Sequence, residues 1–427
     1  MSEPVNIENM SAKEMLGYFQ NKLDEEAREH KKNGKLVCWS SSVAPSEIFV
    51  TMDVALCYPE THAAGIGARH GALDMLEVTE QKGYSTDLCS YARINLAYMD
   101  LLKEKALSGN TPEKLAKCPG ADIPLPDVVV ATNNICNTLL KWYENLSYEL
   151  NVPFILIDAP YNHTMPVAPH NKKYMAEQIR HAITVLEKLS GKSFDWDKFR
   201  EVQKQTQRSV KYWLKIAEMG SYKPSPLNGF DLLNFMALIV CARSRDYAEL
   251  TFKKFVEELQ QKEKEGKYAF GDNEQQRLVW EGIAVWPHVG HTFKSLKSRG
   301  MLMTGSTYPN VWQLAYEIDN LESIGESYSN VYTNTCVQNR ARVLGDVGEL
   351  GKCDALILHQ NRSCKLMCFL NQSCAEIVHD RLDIPYVLFD GDQTDPRNFS
   401  PAQYDLRVQS LQEMVTDQKK QQRSPKS

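Results

Sequence analysis

Two cysteines occupy matching positions in the two halves of this chain. Cys136 lies in DVVVATNNICNTLLKWYENL, and Cys364 lies in CDALILHQNRSCKLMCFLNQ. Each follows an apolar run and a polar loop with Asn three residues before the cysteine, and each precedes an amphipathic helix pattern. A thiol between the carboxyl end of a strand and a helix N-terminus lies where α/β proteins bind ligands, and the helix dipole there favours the thiolate. The pattern predicts a duplicated fold whose cysteines act together.

The elements around these cysteines repeat as well. Each cysteine-bearing helix pattern leads to a second apolar run, VPFILID at 152–158 and IPYVLFD at 384–390. Strand patterns that alternate with helices predict an α/β protein with two Rossmann-like parallel-sheet domains. We expect an exposed N-terminal helical arm at 1–34, a first α/β domain at 35–170, a helical connector at 171–270 and a second α/β domain at 271–427.

The composition of the chain argues against nucleic acid and membranes as partners. The formal charge of −5 over 427 residues leaves no basic footprint, so nucleic acid is not expected as a partner. The longest apolar stretch, LLNFMALIVCA at 232–242, is too short to span a bilayer and predicts a buried helix. The N-terminus shows no secretory signal, so we expect a cytoplasmic protein without a membrane partner. Eleven cysteines in that compartment are not a disulfide framework.

The cysteines divide into two groups by their surroundings. Those inside apolar patterns are expected in the core, namely Cys38, Cys57 and Cys241, with core also favoured for Cys353, Cys368 and Cys374. Those in polar loops or at helix starts are Cys89, Cys118, Cys136, Cys336 and Cys364. The chain has no C-x-x-C pair, so a closed zinc site is not predicted. Dispersed thiolates gathered by folding suit an iron–sulfur cluster better.

Polar residues at predicted strand ends have two interpretations. Ser40, Ser41 and Ser42 follow the first strand pattern, and Glu60 follows the second. They either cap the next helix or face the same cleft as Cys136. The run DGDQTDPR at 390–397 follows the last strand pattern and has the composition of a turn.

Long motifs in the chain are similar to those of the 2-hydroxyacyl-CoA dehydratase family. They are LCSYAR, ATNNICNTLLKWYENL, YNHTMP, YKPSPLNGFD, EGIAVWPHVGHTFKS, QNRSCKLM and DGDQTDPRNFSPAQYD. The similarity extends from about residue 10 to about residue 415. It implies one subunit of an oxygen-sensitive heterodimer, completed by a beta subunit and served by an ATP-dependent iron–sulfur activator protein. The chain itself has no P-loop, which fits ATP hydrolysis on another protein.

The resemblance also assigns site residues. It implies a [4Fe–4S] cluster held by Cys89, Cys136 and Cys364, with Cys336 as a reserve ligand. The family's active-site serine falls on Ser42, with Ser41 as the alternative, and its glutamate falls on Glu60. A flavin, FMN or riboflavin, accompanies the cluster in some members, and the resemblance leaves its presence here open.

The implied reaction removes water from a 2-hydroxyacyl-CoA thioester, with (R)-lactoyl-CoA to acryloyl-CoA the expected case. One electron added to the thioester carbonyl gives a ketyl radical anion that expels the α-hydroxyl. The cluster would act as a Lewis acid and electron relay. Two alternatives stay open: an enzyme for another 2-hydroxyacyl-CoA or a benzoyl-CoA reductase-type subunit, and a non-catalytic subunit that binds its partner without a working cluster.

Overall fold

Two four-stranded parallel sheets organise the molecule in the computed structural model, which describes residues 6–120 and 122–423. The first sheet contains β1 (Val37–Ser40), β2 (Ala55–Cys57), β3 (Val128–Thr132) and β4 (Phe154–Ile157), in the order β2-β1-β3-β4. The second contains β5 (Gln276–Glu281), β6 (Met301–Ser306), β7 (Ala355–Asn361) and β8 (Tyr386–Gly391), in the order β6-β5-β7-β8. The two orders are equivalent, and the predicted fold class is confirmed.

Helices connect and cover the strands. The described part of the chain contains α1 (Ala12–Lys32), α2 (Ser46–Thr51), α3 (Pro59–Ala68), α4 (Ala72–Gln81), α5 (Ser90–Ser108), α6 (Glu113–Ala116), α7 (Asn137–Leu150), α8 (Pro169–Ser190), α9 (Trp196–Gly220), α10 (Gly229–Ala242), α11 (Asp246–Lys264), α12 (Val289–Ser298), α13 (Thr307–Asn310), α14 (Leu321–Ser329), α15 (Val337–Gly351), α16 (Lys365–Leu382) and α17 (Pro401–Arg423). Short 3₁₀ turns lie at Ile7–Asn9, Gly271–Asn273, Trp286–His288 and Pro396–Asn398.

The strand order creates one ligand-binding crevice in each sheet. In the first sheet, β1 leads outward to β2 through α2, whereas β3 leads outward in the other direction to β4 through α7. Neighbouring strands whose connections diverge leave an opening at their carboxyl ends. In the second sheet, β5 and β7 stand in the same relation. All five residues of β3 are buried, as expected for a strand covered by helices on both faces.

The N-terminal helix is packed rather than exposed, so the prediction of an exposed arm is wrong. Met15, Phe19 and Ala27 of α1 are buried, and the Phe19 ring stacks on Tyr247 of α11 with centroids 4.6 Å apart. The apolar residues of α1 recur at helical spacing and form a stripe that a neighbouring helix covers. Residues 1–5 of the predicted arm lie outside the described residues.

Four long helices, α8 to α11, lie between the two sheets in sequence, where the connector is predicted. The apolar run at 232–242 is helical and largely buried within α10, as predicted. Among the described residues, no helix combines the length and the apolar character needed to cross a membrane. The predicted domain boundaries remain predictions.

A buried polar network joins α5 to the loop that follows β8. The Ser90 hydroxyl donates to Oδ1 of Asp392 at 2.6 Å, and Nη2 of Arg93 lies 3.3 Å from Oδ2 of Asp395. Arg93 is 0% exposed and Asp395 is 2% exposed. The run at 390–397, whose composition predicts a turn, thus also connects the two halves. Residues 391–395 are buried, whereas Asp390 and Arg397 are exposed.

We expect Asp395→Asn to destabilise the protein by about 3 kcal/mol, because it leaves the buried Arg93 guanidinium short of a counter-charge. Burial opposes the charge of Asp395, but Arg397 and Arg93 outweigh it, so the pKa of Asp395 lies below its usual range. An aspartate whose pKa is lower in the folded state than in the unfolded state, where it is about 4, stabilises the protein at pH values above about 4. That stabilisation is lost as the pH falls through the folded-state pKa. The difference from wild type should therefore shrink in acid, as measured by urea unfolding.

The matched control is Asp417→Asn, because Asp417 pairs with Lys420 on an exposed face of α17. Exposed pairs contribute little, so its stability should equal that of wild type. Equal stability of the Asp395 variant and this control would contradict the network's role.

Candidate active site

Each of the three cysteines assigned by resemblance is the residue immediately before a helix. Cys89 precedes α5, Cys136 precedes α7 and Cys364 precedes α16. The backbone N–H of Leu139 donates to the Cys136 sulfur at 3.3 Å. A sulfur in this position faces unpaired N–H groups and the positive end of the helix dipole, both of which favour a thiolate ligand.

The three thiols lie close enough together to influence one another electrostatically. Burial raises the pKa of each to about 12, and neighbouring thiols add to it. The Cys364 thiol raises the pKa of Cys89, the Cys89 thiol raises that of Cys136, and the Cys136 thiol raises that of Cys364. The structure therefore brings together three cysteines that are distant in sequence.

The three thiols are not grouped as ligands of a single metal ion. In the part of the chain that the structure describes, no three His, Cys, Asp or Glu side chains are grouped so as to hold a metal ion. The cysteines that hold a polynuclear cluster each bind a different iron.

Contacts from the second half hold the Cys89 segment in place. The side-chain amide of Gln393 donates to the Cys89 sulfur at 3.1 Å. The backbone N–H of Ser90 donates to the hydroxyl of Ser363, the residue before Cys364, at 3.2 Å. These bonds fix the distance between two cysteines that belong to different halves of the chain.

The reserve ligand Cys336 lies elsewhere. It precedes α15, and the titratable group that its thiol influences is Tyr161, which is half exposed. Cys118 influences Tyr98 rather than the three clustered thiols. Of the cysteines predicted in the core, Cys38, Cys57 and Cys374 are buried, whereas Cys241, Cys353 and Cys368 are partly buried.

Ser42 and Glu60 are hydrogen-bonded to each other. Oε1 of Glu60 accepts from the Ser42 backbone N–H at 3.0 Å and from its hydroxyl at 3.1 Å, and Oε2 accepts from the hydroxyl of Tyr143. Burial raises the pKa of Glu60 above its usual value, although these bonds oppose the increase. The alternative, Ser41, is fully buried and bonds instead to Thr132 of β3. The geometry therefore favours Ser42 over Ser41 as the residue that faces Glu60.

A cleft of about 570 Å³ opens beside this pair. Ser42 and Glu60 line it together with Trp286 and Tyr308 from the second half. Two exposed cations, Lys13 and Arg69, also line it. The cleft thus combines a carboxyl–hydroxyl pair, aromatic walls, two cations and the carboxyl group of Asp231, a mixture of apolar and polar groups typical of a small-molecule site.

The cleft and the cysteines adjoin. The Glu60 carboxylate contributes to raising the pKa of Cys136, and it also contributes, with Cys364 and Cys89, to raising the pKa of Tyr308. Burial is the largest cause of both increases. A ligand at the inner end of the cleft would lie between the carboxyl–hydroxyl pair and the three thiols.

Sequence reasoning missed two tyrosines at this site. Tyr143 lies within α7, where no sequence signal separates it from an ordinary helix residue. Tyr308 lies two residues beyond the end of β6, at the carboxyl edge of a parallel sheet. The strand-end rule that selected Ser42 and Glu60 would have selected Tyr308 as well.

The chain belongs to the family described as "2-hydroxyglutaryl-CoA dehydratase, D-component", whose model matches residues 41–415. The resemblance drawn from the motifs is confirmed at this level. The chain is 58% identical over 410 residues to the lactoyl-CoA dehydratase subunit alpha of Anaerotignum propionicum, covering 96% of this chain and 97% of the relative.

Two further relatives are less similar. The (R)-2-hydroxyisocaproyl-CoA dehydratase alpha subunit of Clostridioides difficile is 40% identical, over 91% of this chain and 92% of its own length. A benzoyl-CoA reductase subunit of Thauera aromatica is 25% identical, over 88% of this chain and 87% of its own length. The similarity is thus greater to the two dehydratase subunits than to the reductase subunit.

Tyr143→Phe should destabilise the protein by about 1–2 kcal/mol in urea unfolding, because the fully buried Tyr143 hydroxyl bonds to the Ser40 carbonyl and to Glu60. Tyr148→Phe, on the same helix, is the matched control, since Tyr148 is 81% exposed and its stability should not change. If Tyr143→Phe is as stable to urea as Tyr148→Phe, the hydrogen bonds of Tyr143 do not stabilise the position of Glu60.

Proposed function

We propose that this chain is the alpha subunit of a radical 2-hydroxyacyl-CoA dehydratase that converts (R)-lactoyl-CoA to acryloyl-CoA. One observation carries the proposal: three partly buried cysteines adjoin a cleft lined by a Ser42–Glu60 pair, in a chain 58% identical to a lactoyl-CoA dehydratase subunit alpha. Neither the thiols nor the cleft alone would indicate this reaction.

Cys89, Cys136 and Cys364 would hold a [4Fe–4S] cluster. Their sulfurs lie at three helix N-termini, where backbone N–H groups are available as donors. Such a cluster, when bound, supplies Lewis acidity and one-electron transfer next to the cleft. Three cysteines for four irons leave one iron free of protein sulfur.

Ser42 and Glu60 would handle protons at the inner end of the cleft. Three hydrogen bonds hold the Glu60 carboxylate in one orientation, and its raised pKa makes it a stronger base than an exposed glutamate. Loss of water from a 2-hydroxyacyl group requires a β-proton to be removed and the leaving hydroxyl to be protonated. A carboxyl group whose pKa burial raises can serve both needs.

The outer part of the cleft would bind the coenzyme A moiety. Lys13 and Arg69 are exposed cations that line the cleft, and they suit the phosphates of coenzyme A. Trp286 narrows the cleft with an aromatic side chain that favours a small acyl group. The acyl group would then reach the Ser42–Glu60 pair while the nucleotide remains near solvent.

Two partners follow from the family. The dehydratase relatives are named as alpha subunits, and we infer a beta subunit as the constant partner of this chain. An ATP-dependent iron–sulfur activator would supply the initiating electron. The alternative of a benzoyl-CoA reductase-type subunit has weaker support, because identity to that relative is 25%.

Replacing any one of Cys89, Cys136 and Cys364 by Ala should remove most iron and sulfide from this subunit and abolish turnover, because a cluster held by two cysteines is labile. The measurement is iron and sulfide analysis after anaerobic co-purification with the beta subunit. Fluorescence of released FMN or riboflavin reports any flavin in the same sample.

Cys118→Ala and Cys336→Ala are the controls, since these thiols contribute to the pKa values of Tyr98 and Tyr161 and the resemblance assigns neither as one of the three ligands. Both should keep full iron. Iron loss from Cys336→Ala with retention in Cys89→Ala would transfer the ligand role to Cys336. A wild-type preparation without iron would favour a non-catalytic subunit.

The substrate is tested by anaerobic assay of the activated complex with lactoyl-, 2-hydroxybutyryl-, 2-hydroxyglutaryl- and benzoyl-CoA. We expect lactoyl-CoA to give the highest kcat/KM, roughly tenfold or more above 2-hydroxyglutaryl-CoA, because an added carboxylate would lie among buried aromatic groups. Faster turnover of 2-hydroxyglutaryl-CoA would overturn the substrate assignment, and reduction of benzoyl-CoA would overturn the reaction class.

A further inference from the structure

Three aromatic side chains form a connected row between the cysteines and the cleft. The indole N–H of Trp286 donates to the hydroxyl of Tyr91, and the Tyr91 hydroxyl faces the hydroxyl of Tyr308. Trp286 is 8% exposed and Tyr91 is 5% exposed. Tyr308 and Trp286 line the cleft, whereas Tyr91 lies behind them. Both ends of the row thus lie at the cleft, and Tyr91 connects them from the interior.

Counting donors along this row identifies an arrangement in which its last hydrogen is available to a ligand. An indole N–H can only donate, so the Tyr91 oxygen accepts from Trp286, and the Tyr91 O–H can donate to the Tyr308 oxygen. In that arrangement the Tyr308 hydrogen is left for a group in the cleft, which Tyr308 lines.

The surroundings of Tyr308 match those of the reacting centre. Its hydroxyl lies within the electrostatic influence of Glu60 on one side and of Cys364 and Cys89 on the other. Burial, followed by these groups, keeps the pKa of Tyr308 above its ordinary value, so the phenol is a neutral donor at physiological pH. A polarised donor in a water-poor cleft interacts most strongly with an oxygen that gains negative charge.

We propose that Tyr308 is a further catalytic residue, whose O–H donates a hydrogen bond to the thioester carbonyl oxygen of the bound 2-hydroxyacyl-CoA, and that Trp286 and Tyr91 are positioning residues for it. This inference rests on the proposed function. Tyr308 transfers no proton and forms no covalent bond. The electron that charges the carbonyl oxygen comes from the reduced iron–sulfur activator, and the hydrogen bond strengthens as that charge develops.

The first test is Tyr308→Phe in the anaerobic complex with the beta subunit and activator. We expect kcat to fall roughly 100-fold, because the lost donor acts mainly in the charged state, while KM changes less than about fivefold. Iron and sulfide content should equal wild type. Tyr148→Phe is the matched control, since Tyr148 is 81% exposed on α7 and outside the cleft, and its kcat should not change.

A second test measures binding without turnover. Without activator and ATP, Tyr308→Phe should weaken binding of (R)-lactoyl-CoA by about two- to tenfold. It should leave unchanged the binding of S-(2-hydroxypropyl)-CoA, a thioether that lacks the carbonyl oxygen. Equal weakening for both ligands would show that Tyr308 does not contact this oxygen and would overturn the inference.

The remaining outcomes also test whether Tyr308 is a catalytic residue. Wild-type kcat in Tyr308→Phe, or loss of iron from it, would assign Tyr308 a neutral or a structural role. Should Tyr308→Phe fail to fold, Tyr91→Phe tests the row: kcat should fall about tenfold with iron retained, and unchanged kcat would overturn the inference. An iron-loaded wild-type complex that dehydrates no 2-hydroxyacyl-CoA would instead overturn the proposed function, and the inference with it.

Discussion

The site depends on the buried hydrogen bonds that join the first turn of α5 to the second sheet. Cys89 comes from a helix of the first half and Cys364 from a loop of the second, and neither sheet alone fixes the distance between them. Ser90 provides that link, since its backbone bonds to Ser363 and its hydroxyl to Asp392. Buried polar groups are costly to leave unpaired, so this junction has one favoured geometry. Fixed geometry is what a three-thiol site requires.

Burial at this junction disfavours the free thiolates but strengthens the interaction of bound thiolates with the helix N-termini. It raises the thiol pKa values to about 12, so the metal-free cysteines are neutral and their ligation must release protons. The same low dielectric strengthens the interaction of a bound thiolate with the helix N-termini. It also raises the pKa of Glu60 at the adjoining cleft. The exclusion of water thus raises the pKa of both the thiols and the Glu60 carboxyl group.

The sequence predicts the parts of the site that lie at strand ends. Cys136 and Cys364 follow equivalent strands, β3 and β7, because duplication repeats both the strand order and the loop. Cys89 follows no strand, so its assignment depended on family resemblance. The burial of Asp395 and the packing of α1 were not predictable, since turn composition and an amphipathic stripe do not reveal which distant element covers them. Tyr143 acquires its role only through Glu60, which lies 83 positions away in sequence.

The duplicated halves have diverged at the one position where a second cleft would lie. The end of β1 leads to Ser42, which faces Glu60 in the open cleft, whereas the equivalent strand β5 ends on Glu281. Glu281 is fully buried and pairs with Arg340 at 2.9 Å. It also accepts a hydrogen bond from Thr307, the residue before Tyr308. The carboxylate at the end of β5 thus holds the segment that carries Tyr308, so it supports the cleft that Ser42 and Glu60 line.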